Sequence, residues 1–224
     1  MPALMKGLVS IHIPKTAGRS FYSILNQVYP AGTLAHFDQK NYQGMSRHAA
    51  TFAFLQDLNE NVNVIHGHFM FNDVKEHIRE NNLDFVTWLR EPVDRVLSNY
   101  RFFIQRTRRS DADEKMLSRR NESLLEYARL EESRNRMSKF LDGAKLENAK
   151  FIGIMEYFEE DIKKLGLMLD WNEFKISHEN MNMEFRESDL KSVSQETIQE
   201  IRDLNTLDLR LYETALEYRL KRIV

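Results

Sequence analysis

Four short runs of apolar, largely β-branched residues recur along this 224-residue chain, and the first, third and fourth are each followed by a segment spaced for a helix. LVSIHI (Leu8–Ile13) leads through PKTAGRS into a segment with Phe21, Ile24, Leu25 and Val28 on one helical face. VNVIHGHF (Val62–Phe69), DFVTWLR (Asp84–Arg90) and FIGIMEY (Phe151–Tyr157) are the other runs. Runs this short and continuous suit strands buried on both sheet faces, and so a parallel sheet. Glu91–Pro92 opens the helix after the third run, with proline in its first turn and a stripe of Val93, Val96, Leu97, Tyr100, Phe103 and Ile104. Asp94, Arg95 and Ser98 fall off that stripe. Further helices are expected over Arg47–Leu58, where Ala50, Phe54 and Leu58 share a face, over Phe158–Leu169, and as one or two helices over Gln195–Arg222. The alternation predicts an α/β fold: a doubly wound, mostly parallel sheet flanked by helices, with a helical C-terminal part, in one domain over residues 1–224.

Ligands of such sheets bind outside the carboxyl ends of the strands. Three chemically loaded segments fall there: PKTAGRS, His66-Gly67-His68 and Arg90-Glu91-Pro92. A strand-to-helix loop exposes main-chain N–H groups to an anion. Lys15, Thr16, Arg19 and Ser20 would add donors, and Gly18 would let the backbone approach. The other reading is a plain βα turn with a surface lysine. Arg90 at a strand end and Ser98 two turns into the next helix could converge on a phosphate, with Arg95 one turn before Ser98 on the same face. The alternative is a surface helix with a salt-bridged arginine. Residues two apart on a strand face one way, so His66 and His68 could act as base or ligand, or stand as one core and one surface histidine.

Composition removes several function classes. No cysteine is present, which excludes disulfides, thiol catalysis and cysteine-based metal sites. No third ligand lies near the histidines in sequence, so no metal is expected. The net charge of −2 offers no case for nucleic acid as partner. Charge is distributed unevenly: residues 1–140 carry a balance of +4 and residues 141–224 one of −6, which places an anionic ligand on the N-terminal part. Arg101–Arg120 is dense in charge and reads as solvated surface; Arg108 and Arg109 are candidates for an anionic acceptor. No window approaches eighteen apolar residues, so no transmembrane segment is expected. MPALMKGLVSIHIPK lacks a secretory pattern, and a cytoplasmic location is expected.

IHIPKTAGRSF, IHGHFMFN, WLREPVDRVLSNYRF and FIGIMEYFEEDIKKLG together resemble, in order and separation, the successive motifs of sulfotransferases. The resemblance is to the branch of the heparan-sulfate and chondroitin 2-O-sulfotransferases and their small bacterial relatives. It spans about Leu8 to Leu169 and continues weakly into DLRLYETALEY. It implies a P-loop-like fold and transfer of a sulfuryl group from 3′-phosphoadenosine 5′-phosphosulfate (PAPS) to a small-molecule or glycan acceptor. Carried over by position, Lys15, Thr16, Ala17, Gly18, Arg19 and Ser20 match the loop around the 5′-phosphosulfate. Arg90 and Ser98 match the pair at the 3′-phosphate. His68 matches the base, with His66 in support, and Lys15 would stabilise charge on the leaving phosphate. Arg19 departs from the branch, which usually has a small hydroxyl residue there. Ser133–Gly143 is similar to a segment beside the family's cleft, without a role for Asn135 or Arg136. Two other readings remain: a P-loop nucleotide kinase or NTPase, although GxxxxGK[ST] is absent, and a non-catalytic anion- or glycan-binding module.

Overall fold

Leu8–Ile11 (β1) is the central strand, buried at every position. The structure, a computed structural model, describes residues 7–111, 113–176 and 193–222. The leading residues 1–6, part of the segment read for a secretory signal, lie outside the described residues. Around β1 run Leu34–Phe37 (β2), Val64–Gly67 (β3), Asp84–Leu89 (β4) and Phe151–Ile154 (β5), all parallel, in the order β2-β3-β1-β4-β5. The helices are Gly18–Val28 (α1), Arg47–Gln56 (α2), Phe71–Glu80 (α3), Pro92–Thr107 (α4), Glu114–Ser118 (α5), Leu124–Arg129 (α6), Arg136–Phe140 (α7), Phe158–Met168 (α8), Gln195–Leu204 (α9) and Thr206–Lys221 (α10).

Alternation along the strands sends side chains to two cores. Leu8, Val64, Val86, Trp88 and Phe151 pack under α1 and α8 against Phe21, Leu25, Ile162 and Leu165. Val9, Ile11, Ile65, Phe85 and Ile152 pack under α2, α3, α7 and α10 against Phe54, Val74, Met137 and Ala215. Each such fully buried side chain contributes about 1.5–3 kcal/mol of transfer free energy. Val93, Val96 and Leu97 of α4 form a satellite core with Ala128 of α6 and Ile201 of α9.

Register sets the site. Ile11 pairs with Gly67 on one side and with Thr87 on the other. The loop after β1, His68 after β3 and Arg90 after β4 therefore leave the sheet at one level. β1 sits where the chain departs to opposite sides of the sheet, the usual ligand position in such folds.

Several expectations are corrected. The strands are shorter than the apolar runs: β3 stops at Gly67 and β5 gives way to a 3₁₀ turn, Met155–Tyr157. β2 carries no apolar run, because an edge strand with an exposed His36 buries only Phe37 fully. α3 was equally silent in the sequence; Val74 is its one fully buried residue. The C-terminal segment is two helices, broken at Asn205, whose side chain donates to Ile201 O (2.8 Å) and accepts from Asn135 N (2.9 Å). Asn135 in turn accepts from Leu207 N (3.0 Å) and Asp208 N (3.3 Å). Asp208 caps α7 by accepting from Met137 N and Ser138 N. Arg95, one turn before Ser98, is fully buried, donates to Ser133 O (2.8 Å) and lies 3.7 Å from Asp208, so it braces α4 against α7 and α10. The Ser133–Gly143 segment is thus where the C-terminal helices are clasped to the sheet.

Candidate active site

Pro14–Ser20 turns tightly out of β1. Lys15 (φ 72°) and Ala17 (φ 67°) both adopt left-handed backbone, a strained state for residues with a Cβ. Left-handed residues alternating with right-handed ones turn successive N–H groups toward one concavity. α1 starts without a side-chain cap and without an acid in its first turn. By contrast α2, α4, α6 and α9 are capped by Ser46, Glu91, Ser123 and Ser194. The open N–H groups and helix dipole of α1 thus favour an anion. Two details differ from the sequence reading. The Thr16 hydroxyl is buried and donates to Ile13 O (2.9 Å), so this residue offers its main chain rather than its side chain. Gly18 is required for a different reason: a Cβ there would overlap the ring of His12. Ser20 is buried in the first turn of α1, and Arg19 is exposed.

Cations converge on this loop. Arg90 is buried, and its Nη1 donates to Lys15 O (3.3 Å). Lys15 Nζ lies 4.6 Å from the ring centre of Phe102 on α4. Ser98 is one turn before Phe102, so it sits on the α4 face turned to the loop. Burial first, then Arg90 and Arg19, push the Lys15 ammonium below its ordinary range. Three positive groups around an uncapped helix start create a field that a multiply charged anion relieves.

The histidines form a stack that the sequence only half revealed. His36 of β2 pairs with His66 of β3, ring centres 5.6 Å apart. His66 continues to His12 (5.0 Å), and His12 to His68 (4.1 Å). His66 is 1% exposed, with Ser10 Oγ 2.7 Å from its Nδ1 and Tyr22 stacked on it. Burial, then its imidazole neighbours, hold it well below the ordinary range and neutral. His66 is thus the core histidine of the pair, enclosed beneath α1. His68 lies past the strand end and is partly exposed. Its Nδ1 donates to His12 O (2.6 Å), which leaves Nε2 as the acceptor nitrogen. Burial lowers its pKa, the bond to His12 O raises it, and the charges of Arg47 and Arg136 lower it further.

Beyond His68 the wall of the site is basic and aromatic. Arg47 Nη1 donates to His68 O (2.9 Å). The guanidiniums of Arg47 and Arg136 lie 5.4 and 5.6 Å from the Phe140 ring centre. His12, Arg47 and Phe140 were missed because each looks unremarkable in its own segment; only the signal of PKTAGRS beside IHI could have flagged His12. Glu91 is engaged elsewhere, accepting from Asp94 N (2.8 Å) as the α4 cap. Arg108 and Arg109 are exposed at the end of α4, and Arg109 pairs with Asp111 (3.0 Å), as the solvated reading expected. No group of three or more His, Asp or Glu that could hold a metal occurs among the described residues. No helix among them is long and apolar enough to cross a membrane.

The comparisons meet this geometry at the level of family and fold. A mouse sulfotransferase, SULT7A1, solved in complex with PAP, superposes with a TM-score of 0.56 at 11% identity, covering 98% of this chain and 90% of that one. A sulfotransferase from Alicyclobacillus acidocaldarius gives a TM-score of 0.47 at 15% identity, covering 89% and 95%. No curated protein matches the chain in sequence. The family model described as "Sulfotransferase family" matches residues 5–215, nearly the whole chain, and the protein therefore belongs to the sulfotransferase family.

Proposed function

We propose that this chain moves the sulfuryl group of PAPS to a hydroxyl of a carbohydrate or small metabolite, in line, with His68 as base. The observation that carries the reading is the uncapped start of α1 beside Lys15, Arg19 and Arg90, at the sheet level where His68 emerges. The donor carries its activated sulfuryl group at the free end of the 5′-phosphate, so transfer to the acceptor oxygen breaks the bond to that phosphate and leaves PAP. The N–H groups from Lys15 to Ser20 hold the 5′-phosphate side, and Lys15 stabilises the charge that develops there on bond cleavage. Arg90 and Ser98 hold the 3′-phosphate, which distinguishes this nucleotide from ATP. Neutral His68 takes the acceptor proton at Nε2, with Nδ1 already committed to His12 O. PAP bound by the mouse relative supports the same nucleotide here. In this reading residues 1–224 act as one cytoplasmic domain.

Calorimetry tests the donor site. PAP should bind and ATP should bind far more weakly. Arg90→Ala is expected to weaken PAP by about 2–5 kcal/mol, the usual loss when one member of a desolvated charge pair is removed. Unchanged PAP affinity would remove Arg90 from the 3′-phosphate. Turnover is expected to persist in a chelator, because the charge on the leaving 5′-phosphate is met by Lys15 and main-chain amides. Loss in chelator with recovery on adding a divalent ion would contradict this.

A further inference from the structure

His12 was given no role by any motif that pointed to function, yet it touches both halves of the site. Its ring centre is 4.1 Å from that of His68, with 27° between the planes. On the other side it stacks on His66, 5.0 Å away at 25°. Its carbonyl accepts the Nδ1 proton of His68 at 2.6 Å. Its own N–H donates to Gly67 O (2.8 Å), one residue before His68. Its ring edge occupies the space a Cβ on Gly18 would need, so the first residue of α1 rests on it. One residue thus sets the tautomer of His68, the plane of its ring and its separation from the donor loop.

We infer that His12 is a positioning residue that holds the His68 ring against the Lys15–Ser20 loop in the orientation needed for proton abstraction. The inference rests on the reading of His68 as base. His12 is not itself a proton carrier. Burial first, then His68, His36, Arg19 and Lys15, bring it down to about 2, so it stays neutral wherever the enzyme works. A neutral ring clamped between two imidazoles restricts the swing of His68. Its contact with Gly18 transmits the position of α1 to that ring. Small misplacements of a reacting group carry large rate penalties, on the order of 10²-fold for 1 Å.

A double-mutant cycle on the full chain separates the two readings. PAPS is the donor, and the acceptor is the best of a panel of neutral and acidic monosaccharides. His12→Ala, and His12→Asn as a smaller disturbance of the fold, are expected to lower kcat by about 10–100-fold. The KM for PAPS and the affinity for PAP should stay within about threefold, since no donor contact is removed. In the His68→Ala background the same changes should cost nothing further. The acidic limb of kcat/KM should also move up toward 6.5, the ordinary histidine value, because removing the ring exposes His68 and burial is what depresses it most. Ring nitrogen NMR reads the same contact without an acceptor: His68 should titrate nearer 6.5 in His12→Ala than in the native protein. If His68→Ala keeps full turnover, the base reading falls, and this inference with it. If His68→Ala is impaired but the His12 changes cost an equal factor in both backgrounds, the base stands and the positioning role is overturned. A His12 loss that tracks weakened PAP binding, with His68 titration unmoved, likewise overturns it.

Discussion

His68→Ala is expected to lower kcat by about 10²–10⁴-fold, the range for loss of a general base, while PAP affinity stays nearly intact. His68 is the member of the imidazole stack that emerges beyond the strand end, whereas His66 is sealed beneath α1 with Ser10 and Tyr22. Its Nδ1 is committed to a carbonyl, which can only accept, so Nε2 carries the free lone pair. Burial, assisted by Arg47 and Arg136, keeps the ring neutral, which is the form that abstracts a proton. Because the pKa is lowered, the acidic limb of kcat/KM should fall below 6.5. His66→Ala should disturb stability more than chemistry, since its ring fills core volume. Steady-state kinetics with an accepted sugar, beside calorimetry with PAP, make the check. Full turnover in His68→Ala would place the base elsewhere.

Below pH 6.5 the fold should lose stability steeply, before carboxylates titrate. His12 and His66 have ordinary values of 6.5 in the unfolded chain and much lower ones when folded. Between those limits the unfolded state binds protons that the native state refuses, so stability falls as pH falls. An imidazole lowered as far as His12 contributes about 1.4 kcal/mol per pH unit once well below 6.5. At pH 4.5 His12 alone removes about 3 kcal/mol, a large share of the stability of many domains, and His66 adds to the loss in the same direction. The charged neighbours of His12 and His66 push the same way: His36 and His68 are further imidazoles with lowered values, and Lys15 and Arg19 add positive charge around His12. Tm measured by circular dichroism from pH 7.5 to 4.5 should stay level and then drop through this window. A Tm flat to pH 5 would mean that the native stack accepts protons, contrary to its burial.

Both expectations rest on a stack that sequence reading saw only in part. IHGH offered two histidines that strand alternation would put on one face. Their different fates depend on register. Ser10 stands opposite His66, and His36 stands opposite it on the other side, so His66 is enclosed from two strands at once. His68, two residues on, has already left the ladder. Arg95 shows the same limit. On its own helix it is an off-stripe charge; what makes it internal is Asp208, 113 positions away in the chain.

Four of the five strands, the helices after β1, β4 and β5, the parallel sheet and the placement of PKTAGRS, His68 and Arg90 at strand ends were legible in the sequence alone. Local periodicity and the rule that parallel strands are buried on both faces suffice for them. The edge strand β2, the helix α3, the burial of His66 and the clasp of Asn135, Asn205 and Asp208 were decided by tertiary structure. Each depends on partners distant in the chain, and a segment's own pattern does not encode what will cover it. Gly18 shows the division within one residue. Its place in a strand-to-helix loop was plain from PKTAGRS. That it must be glycine because His12 lies against it follows only from the way β1, β3 and α1 come together.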